Sequence, residues 1–253
     1  MDAQDKAITL GHPSYVWRYG QERRLDLINR YAPLAGKRIL DAGCGLGMYV
    51  RAFLRFSDEV YGVDIDPEKV AEASRELPRY GRGTPRPYYV ASAEALPFPD
   101  SFFDVVLSNE VLEHLGDDRK SVAEACRVLK PGGRLVIFVP NRLWLFETHG
   151  IYWRGEYRFG NFPLVNWLPD RWRNNLAPHV RVYTRKSLRA LFAGLPLRVI
   201  HHSTIYPGFD NVAARHAVLA KLVRGVAYAG ERLPMLRACG LSHILVLERT
   251  AEA

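Results

Sequence analysis

One carboxylate residue and three alternating glycines follow a short apolar run near position 40. The run ends in Asp41, and glycines follow at alternate positions, namely Gly43, Gly45 and Gly47. Glycines at such a turn let the backbone adopt conformations barred to residues with a Cβ atom, and they let a ligand lie against the main chain. A dinucleotide fingerprint needs its third glycine one position later, where this chain has Met48. The turn therefore favours an adenosine-bearing ligand other than a nicotinamide dinucleotide.

A second carboxylate, Asp64, ends the next apolar strand about twenty residues after the first glycine. A carboxylate at this place can accept hydrogen bonds from both hydroxyls of a ribose. It could instead cap the following helix, but Asp66 and Pro67 already supply an N-cap and a first-turn proline. We therefore predict that Asp64 is a cofactor ligand.

The turn from Asp41 to Gly47 resembles the first motif of the class I S-adenosylmethionine-dependent methyltransferases. Three further segments resemble that family in the expected order, namely residues 91–98, 103–114 and 127–133. The resemblance covers residues 36 to 140 and is weaker in the last third of the chain. It implies S-adenosyl-L-methionine as the cofactor and methyl transfer as the activity, with a small or lipid-like acceptor as in the quinone- and natural-product-modifying branch.

The resemblance also implies which residues surround the cofactor. Residues 91–98 look like the loop that flanks the adenine, although Ser92 stands where related sequences usually carry an aspartate. The loop after the fourth strand is similar to the one that lies beside the methionine part of the cofactor. The implied cofactor-binding residues are Asp41, Gly43, Gly45, Gly47, Asp64, Ile65, Ser92, Ala93, Asn109 and Glu110.

Candidates for acceptor chemistry follow the fifth strand, in a segment that holds four of the five tryptophans and has no clean periodicity. Ligands of open α/β sheets bind outside the carboxyl ends of the strands, where this segment begins. A hydroxyl or acidic carbon acceptor needs a base for its proton, whereas a thiol or amine could react with little help. The candidate bases are His149 and His179, and the candidate acceptor-binding residues are Arg142, Glu147, Arg181 and Tyr183.

Each of these acceptor-side interpretations has an alternative. The polar groups could instead stabilise this irregular segment after the fifth strand through internal hydrogen bonds. The aromatic residues could line an apolar acceptor pocket or form a small core. His114 could be a base, but we interpret it as structural because it follows a helical Val-Leu-Glu. By family analogy, Tyr15, Trp17 and Tyr19 are expected to fold over the cofactor as a lid.

Alternating strand and helix patterns must position these residues. The nearly all-apolar run at 134–139 indicates a strand buried on both faces, as in a parallel sheet. The alternation predicts βαβ units with right-handed crossovers. We expect a Rossmann-like α/β fold: a seven-stranded, mostly parallel sheet with an antiparallel last strand, helices on both faces, and a cap inserted after the fifth strand.

The expected divisions are a lid and helix at 1–35, a cofactor-binding core at 36–140, the cap at 141–182, and the rest of the core at 183–253. One helix is expected to run through Leu129 and to end at Pro131-Gly132-Gly133. A longer amphipathic helix is expected near Val212 to Arg232. Its apolar face could pack on the sheet, or, with the basic residues opposite, the helix could lie on an anionic membrane.

The net charge of +8 permits an anionic partner, or simply reflects an arginine-rich composition. Nucleic acid is not favoured, because no compact Lys/Arg block occurs. Three scattered cysteines indicate neither a disulfide framework nor a metal site. Without a signal-peptide layout or a bilayer-spanning run, we expect a cytoplasmic protein, with a peripheral position at the inner membrane surface as the alternative. The alternatives to the methyltransferase hypothesis are an RNA methyltransferase and a non-catalytic cofactor-binding scaffold or regulatory partner.

Overall fold

A computed structural model describes residues 17–77 and 87–251 of the chain. Its strands are β1 (Ile39–Ala42), β2 (Val60–Asp64), β3 (Tyr88–Val90), β4 (Phe103–Asn109), β5 (Leu129–Pro140), β6 (Phe146–Glu147), β7 (Ile151–Trp153), β8 (Glu156–Arg158), β9 (Phe162–Pro163), β10 (Leu197–Ile205) and β11 (Ser242–Arg249). Its α-helices are α1 (Tyr19–Tyr31), α2 (Met48–Phe53), α3 (Pro67–Glu76), α4 (Asp118–Val128), α5 (Asp170–Leu176), α6 (Arg185–Ala190), α7 (Asp210–Arg215), α8 (Ala217–Gly230) and α9 (Pro234–Ala238). Of the expected features, Tyr15 and the rest of the lid before residue 17 lie outside the described residues.

Seven strands form one sheet in the order β10-β11-β5-β4-β1-β2-β3. The neighbouring strands β5, β4, β1, β2 and β3 all pair in parallel. The last strand, β11, is antiparallel to both of its neighbours, β5 and β10. Successive residues of a strand face opposite sides, so Ile39 and Leu40 enter different clusters of buried side chains. One cluster contains α1 and α2 residues and the other contains α4 and α6 residues, which confirms the expected Rossmann-like class.

The structure corrects two element boundaries. The helix predicted to run through Leu129 ends one residue earlier, because α4 ends at Val128. Leu129 instead begins β5 and pairs with Phe103 of β4. The strand continues through Pro131 and Gly132, with Gly132 at φ +78° and a register shift against β4. The long C-terminal helix is also broken: α7 ends at Arg215, and His216 leaves helical geometry with φ −143° and ψ 81° before α8 begins.

The segment after β5 is irregular, as expected. It contains two small antiparallel sheets, β6 with β9 and β7 with β8, then a 3₁₀ turn and α5. A buried ion pair crosses it, because Arg173 Nη2 lies 2.9 Å from Glu147 Oε2 and both side chains are almost fully buried. Several of its large apolar side chains are exposed instead of forming a core, among them Trp153, Phe159, Trp167 and Trp172.

Candidate functional site

The turn between β1 and α2 uses backbone angles that favour glycine at all three positions. The φ values of Gly43, Gly45 and Gly47 are +90°, +51° and +72°. A Cβ on Gly43 would lie 2.3 Å from a methyl group of Val111, whereas nothing lies within 4 Å of a Cβ on Gly45. Gly43 is therefore required by packing, and Gly45 leaves open space against the main chain where a ligand fits.

Asp64 contacts the same turn from the end of β2. Its Oδ2 accepts a hydrogen bond from the Gly45 backbone N–H at 2.7 Å, and its Oδ1 accepts from Asp66 N at 3.0 Å. Asp66 itself caps α3 by accepting from the backbone N–H groups of Glu68 and Lys69. The cap position is thus filled by Asp66, as the sequence predicts, and Asp64 lies at the glycine turn.

Asp41 lies at the end of β1 and is almost fully buried. Burial, reinforced by the neighbouring charge of Asp64, raises the pKa of the Asp41 carboxyl to about 8. A buried carboxyl with such a pKa is mostly protonated at pH 7 unless a positive charge is brought beside it. The carboxyl is therefore mostly neutral in the ligand-free protein, and a cation bound beside it would favour its ionised form.

Tyr49, on the first turn of α2, was not singled out from the sequence. Its hydroxyl is buried and has no hydrogen-bond partner among the described residues. Burial raises the pKa of this phenol, and Asp41, Arg24 and Glu110 lie near enough to influence it. Its ring packs edge-on against Trp17, with the ring centroids 5.2 Å apart. An orphaned buried hydroxyl among these groups needs a polar partner, and a bound cofactor would supply one.

The predicted adenine side is more open. Ile65 follows Asp64 directly and is 73% exposed, an unusual degree for a large apolar side chain. Ser92 Oγ accepts a hydrogen bond from Glu94 N at 3.1 Å, so the hydroxyl caps its own turn. Ala93 is buried beside it. The exposed isoleucine offers a flat apolar surface at the place where the family resemblance puts the adenine.

The loop after β4 is held by an arginine from α1. Arg24 donates from Nη1 to Asn109 Oδ1 at 2.6 Å and from Nη2 to Glu110 Oε1 at 2.8 Å. Ser242 Oγ donates to the same Glu110 oxygen at 2.7 Å. Glu110 has φ +55°, a left-handed conformation that a non-glycine residue keeps only when its surroundings hold it. Arg24 and Ser242 carry no sequence signal, because they come from distant segments.

Beyond this loop the structure brings the candidate bases to His114. The His114 and His149 rings have centroids 5.5 Å apart, and His114 Nδ1 lies 3.3 Å from the His179 carbonyl oxygen. Burial lowers the pKa of His114 to about 4 and also lowers that of His179. Glu113 lies beside them, fully buried, although the sequence did not single it out.

The four candidate acceptor-binding residues all have partners within the protein. Arg142 pairs with Asp170, and Arg181 donates to the Gly116 carbonyl at 3.0 Å. The Tyr183 hydroxyl donates to Asp118 Oδ2 at 2.9 Å, and Glu147 pairs with Arg173. These contacts connect the segment after β5 to itself and to the α4 side of the sheet, so they fit the structural alternative.

A cavity of about 280 Å³ opens on another side of the loop. It is lined by Arg18, Gly20, Gln21, Arg24, Ile205, Tyr206, Pro207, Gly208, Asp210 and Leu241. No residue of the segment after β5 lines it, although the sequence placed the acceptor there. Arg24 connects the cavity to Asn109 and Glu110, and so to the predicted methionine side of the cofactor site.

Comparison with known proteins agrees with the fold and the turn. Residues 40–137 match the family described as "Methyltransferase domain". A ubiquinone biosynthesis O-methyltransferase of Aromatoleum aromaticum is 36% identical over 131 residues, which cover 50% of this chain and 55% of the relative. One of Thiobacillus denitrificans is 40% identical over 121 residues, covering 47% and 51%. The chain thus spans about half the length of the curated relatives it matches.

Solved structures match over more of the chain. The YcgJ protein of Bacillus subtilis superposes with a TM-score of 0.59 and 24% identity, covering 92% of this chain and 100% of that one. The cyclase SpnF superposes with a TM-score of 0.60 and 20% identity, covering 92% and 82%. At this identity the likeness shows the fold alone.

Residues 40–137 thus match the methyltransferase-domain family, and the fold and the glycine turn agree with that match. The family implies S-adenosyl-L-methionine as the cofactor. The residues present fit that cofactor, because Gly45 leaves open space beside the main chain and Tyr49 has a buried hydroxyl without a partner among the described residues.

Proposed function

We propose that this chain is an enzyme that transfers the methyl group of S-adenosyl-L-methionine to a hydroxyl oxygen of a small or lipid-like molecule. The observation that carries the proposal is the turn from Asp41 to Gly47, with Asp64 hydrogen-bonded to Gly45 N. Support for an oxygen acceptor comes from curated relatives that are named ubiquinone biosynthesis O-methyltransferases.

The protein's own contributions are binding and orientation. When bound, the cofactor supplies a methyl group already activated on a sulfonium sulfur. Asp41, Asp64 and the Gly45 backbone would hold its charged and ribose portions, and Asn109 with Glu110 would border its methionine part. Alignment of the acceptor oxygen with the methyl carbon would then supply most of the acceleration.

The cavity beside Arg24 is the proposed acceptor site. Its lining combines apolar residues such as Ile205 and Leu241 with the cations Arg18 and Arg24. Asp210 also lines it, and Arg24 is already paired with Glu110, so the lining suits an acceptor with an apolar body and a polar group. Its volume of about 280 Å³ is near the lower end of ordinary small-molecule pockets.

The test is formation of S-adenosylhomocysteine by the purified chain with a panel of phenols and catechols, with and without an alkyl tail. We expect turnover with at least one hydroxyl acceptor, and loss of turnover in Asp64→Ala. Asp26→Asn, on the exposed face of α1, is the matched control and keeps activity. Cofactor binding without turnover on any acceptor would favour the scaffold alternative. Salt-sensitive binding of bulk RNA with methylated RNA as the product would favour the RNA methyltransferase alternative.

We also propose that an anionic membrane surface is the partner of α8 and α9. Their exposed apolar side chains include Val218 (84% exposed), Val226 (68%) and Met235 (86%), so this face does not pack on the sheet. Lys221 on α8 and Arg232 in the turn between α8 and α9 are exposed and suit anionic lipid. Among the residues that the structure describes, no helix is long and apolar enough to cross a bilayer.

A further inference from the structure

Three arginines without carboxylate partners lie together beside β10, the outer strand of the sheet. Arg185 and Arg189 are exposed on α6, one helical turn apart, and Arg237 is exposed on α9. Among the residues that the structure describes, no carboxylate pairs with any of these three guanidinium groups. Burial and the charges of Arg189 and Arg237 lower the pKa of Arg185. The three positive charges therefore repel one another, and no negative charge from the described residues balances them.

Strand β10 brings α6 and α9 to the same place. His202 of β10 contacts Arg189 on α6, and Thr204 donates from its hydroxyl to the Arg237 carbonyl on α9. Residues two apart in a strand lie on the same face of the sheet, so both helices border one stretch of that face. The local sequence does not predict this cluster, because Arg185 and Arg237 are more than fifty positions apart.

Two histidines connect Arg189 to the buried backbone. His243 Nε2 lies 3.0 Å from the Tyr183 carbonyl oxygen, which can only accept a hydrogen bond, so Nε2 carries the proton. Nδ1 of the neutral His243 ring then accepts from His202 Nε2 at 3.4 Å. His202 Nδ1 in turn accepts from Arg189 Nε, also at 3.4 Å. The hydrogen bonds therefore run in one direction, from the guanidinium to the Tyr183 carbonyl.

This chain of hydrogen bonds requires both imidazoles to be neutral. Burial, the His243 ring and the charges of Arg185 and Arg189 lower the pKa of His202 to about 3, and burial lowers the pKa of His243. A protonated His202 would direct an N–H group at Arg189 instead of accepting from it. The neutral pair holds Arg189 by Nε, while the two terminal nitrogens of Arg189 have no partner among the described residues. An exposed arginine fixed in this way is oriented for a ligand.

We propose that Arg185, Arg189 and Arg237 bind a phosphate group, with the His202–His243 pair positioning Arg189. A phosphate monoester carries nearly two negative charges at pH 7 and several acceptor oxygens, which suits three cations from two helices. Guanidinium groups contact phosphate through paired N–H donors, and the terminal nitrogens of Arg189 are available for such a contact.

Two sources of the phosphate group fit the surroundings. The first is a soluble phosphate compound. The second is the headgroup of an anionic phospholipid, because α9 also carries part of the exposed apolar face that we propose to contact a membrane. Only the second source rests on that membrane contact, and neither requires methyl transfer.

The test titrates the purified full chain with sodium phosphate at pH 7 and constant ionic strength, with NaCl as the balancing salt and no cofactor or acceptor present. We expect saturable binding by titration calorimetry, and a Tm that rises by about 3–6 °C at a tenfold excess over Kd. In Arg185→Gln combined with Arg189→Gln, phosphate binding should be at least about tenfold weaker. Arg154→Gln combined with Arg171→Gln is the matched control, because it removes the same charge from exposed positions after β5 and should leave Kd unchanged.

The positioning role of His202 has its own pair of variants. His202→Phe keeps a ring in the same space but cannot accept from Arg189, so the Kd for phosphate should increase by about three- to tenfold. His202→Gln carries both an acceptor and a donor, and it should recover part of the affinity. A merely structural histidine would change Tm without changing Kd, so an unchanged Kd in His202→Phe would overturn this role.

Absence of saturable binding in the unaltered chain would overturn the proposal. An equal response in the Arg185→Gln, Arg189→Gln variant would overturn it as well, since phosphate would then act only as a stabilising salt. Repeating the titration with vesicles distinguishes the two sources, and both results support the site. Displacement of phosphate by phosphatidic acid vesicles, but not by phosphatidylcholine vesicles, indicates a lipid headgroup, and no displacement by either indicates a soluble ligand. Because no methyl transfer is measured, failure of the proposed function would leave these results unaffected.

Discussion

At the scale of single residues, the glycines of the turn are glycine for different reasons. Gly43 adopts φ +90° and lies against Val111, so both its backbone and its neighbour exclude a side chain. Gly45 adopts φ +51° and faces open space. The first residue serves the fold, and the second serves the ligand. Substitution by alanine separates these two roles.

We expect Gly43→Ala to lower the free energy of unfolding by about 2–4 kcal/mol, through strain and overpacking. Gly45→Ala carries only the left-handed backbone strain of about 1 kcal/mol. It should nevertheless weaken binding of S-adenosylhomocysteine at least about tenfold, a loss of 1.4 kcal/mol or more. Urea denaturation and titration calorimetry measure the two quantities. Equal stability losses in both variants, with unchanged binding in Gly45→Ala, would contradict this assignment.

Asp41 makes cofactor affinity depend on pH. The pKa of its carboxyl is about 8 in the ligand-free protein, so the ionised fraction increases about tenfold per pH unit below that value. Because the ionised form attracts a cationic ligand, affinity for S-adenosylmethionine should increase by about eightfold from pH 6.5 to 7.5. In Asp41→Asn the affinity should be weak and flat over this range. A flat profile in the unaltered protein would show that Asp41 does not face the cofactor's charge.

The cofactor side of the site could be predicted from the sequence because its residues follow strand ends at short spacings. Asp41, Asp64 and Asn109 each mark the carboxyl end of a strand, and parallel strands bring those ends together. Arg24 could not be predicted, since it is separated by 85 positions from the Asn109 side chain that it binds.

At the scale of elements, one ion pair stabilises the segment after β5. Arg173 on α5 reaches Glu147 on β6, and it also donates to the Val180 carbonyl at 2.7 Å. The segment has only two-residue and three-residue strands, which cannot be stable alone. A single buried guanidinium therefore connects a sheet, a helix and the return of the chain to the core.

We expect Arg173→Met to lower the free energy of unfolding by about 3–5 kcal/mol, because Glu147 would remain buried without a cation. Arg171→Met, at an exposed position two residues away, should change it by less than about 0.5 kcal/mol. Denaturant unfolding measures both. The double variant with Glu147→Leu should recover part of the loss. If it does not, the arginine acts through packing and not through charge.

Some helix boundaries could not be predicted from the sequence, because the local pattern of apolar residues and the tertiary contacts disagree there. The residues from Val212 to Arg232 keep a helical spacing of apolar positions, yet the chain breaks at His216. Arg224 helps to explain the bend, because it donates to the Gly208 carbonyl at 2.7 Å and to Asp210. Such contacts between separate segments do not appear as a periodic pattern in the sequence. The strands, by contrast, were predictable because burial on both faces imposes continuous apolar runs.

At the scale of the whole molecule, a net charge of +8 acts together with the exposed face of α8 and α9. We expect the chain to sediment with vesicles that contain anionic phospholipid and not with purely neutral vesicles. Added salt should weaken this binding through screening. Leu222→Glu combined with Val226→Glu should abolish it, whereas Phe159→Glu, at an exposed site in another segment, should not. Equal sedimentation of all three proteins would contradict membrane contact through this face.

The order of strands has a consequence for how the chain is made on the ribosome. β11, from Ser242, is inserted between β5 and β10, although it is synthesised about a hundred residues after β5 ends. At common elongation rates this interval lasts about 5–20 s. During that time the apolar β5 has a free edge that can pair with another nascent chain. Slow synthesis of residues 141–241 would therefore lower the yield of folded protein, even with every contact of the native state intact.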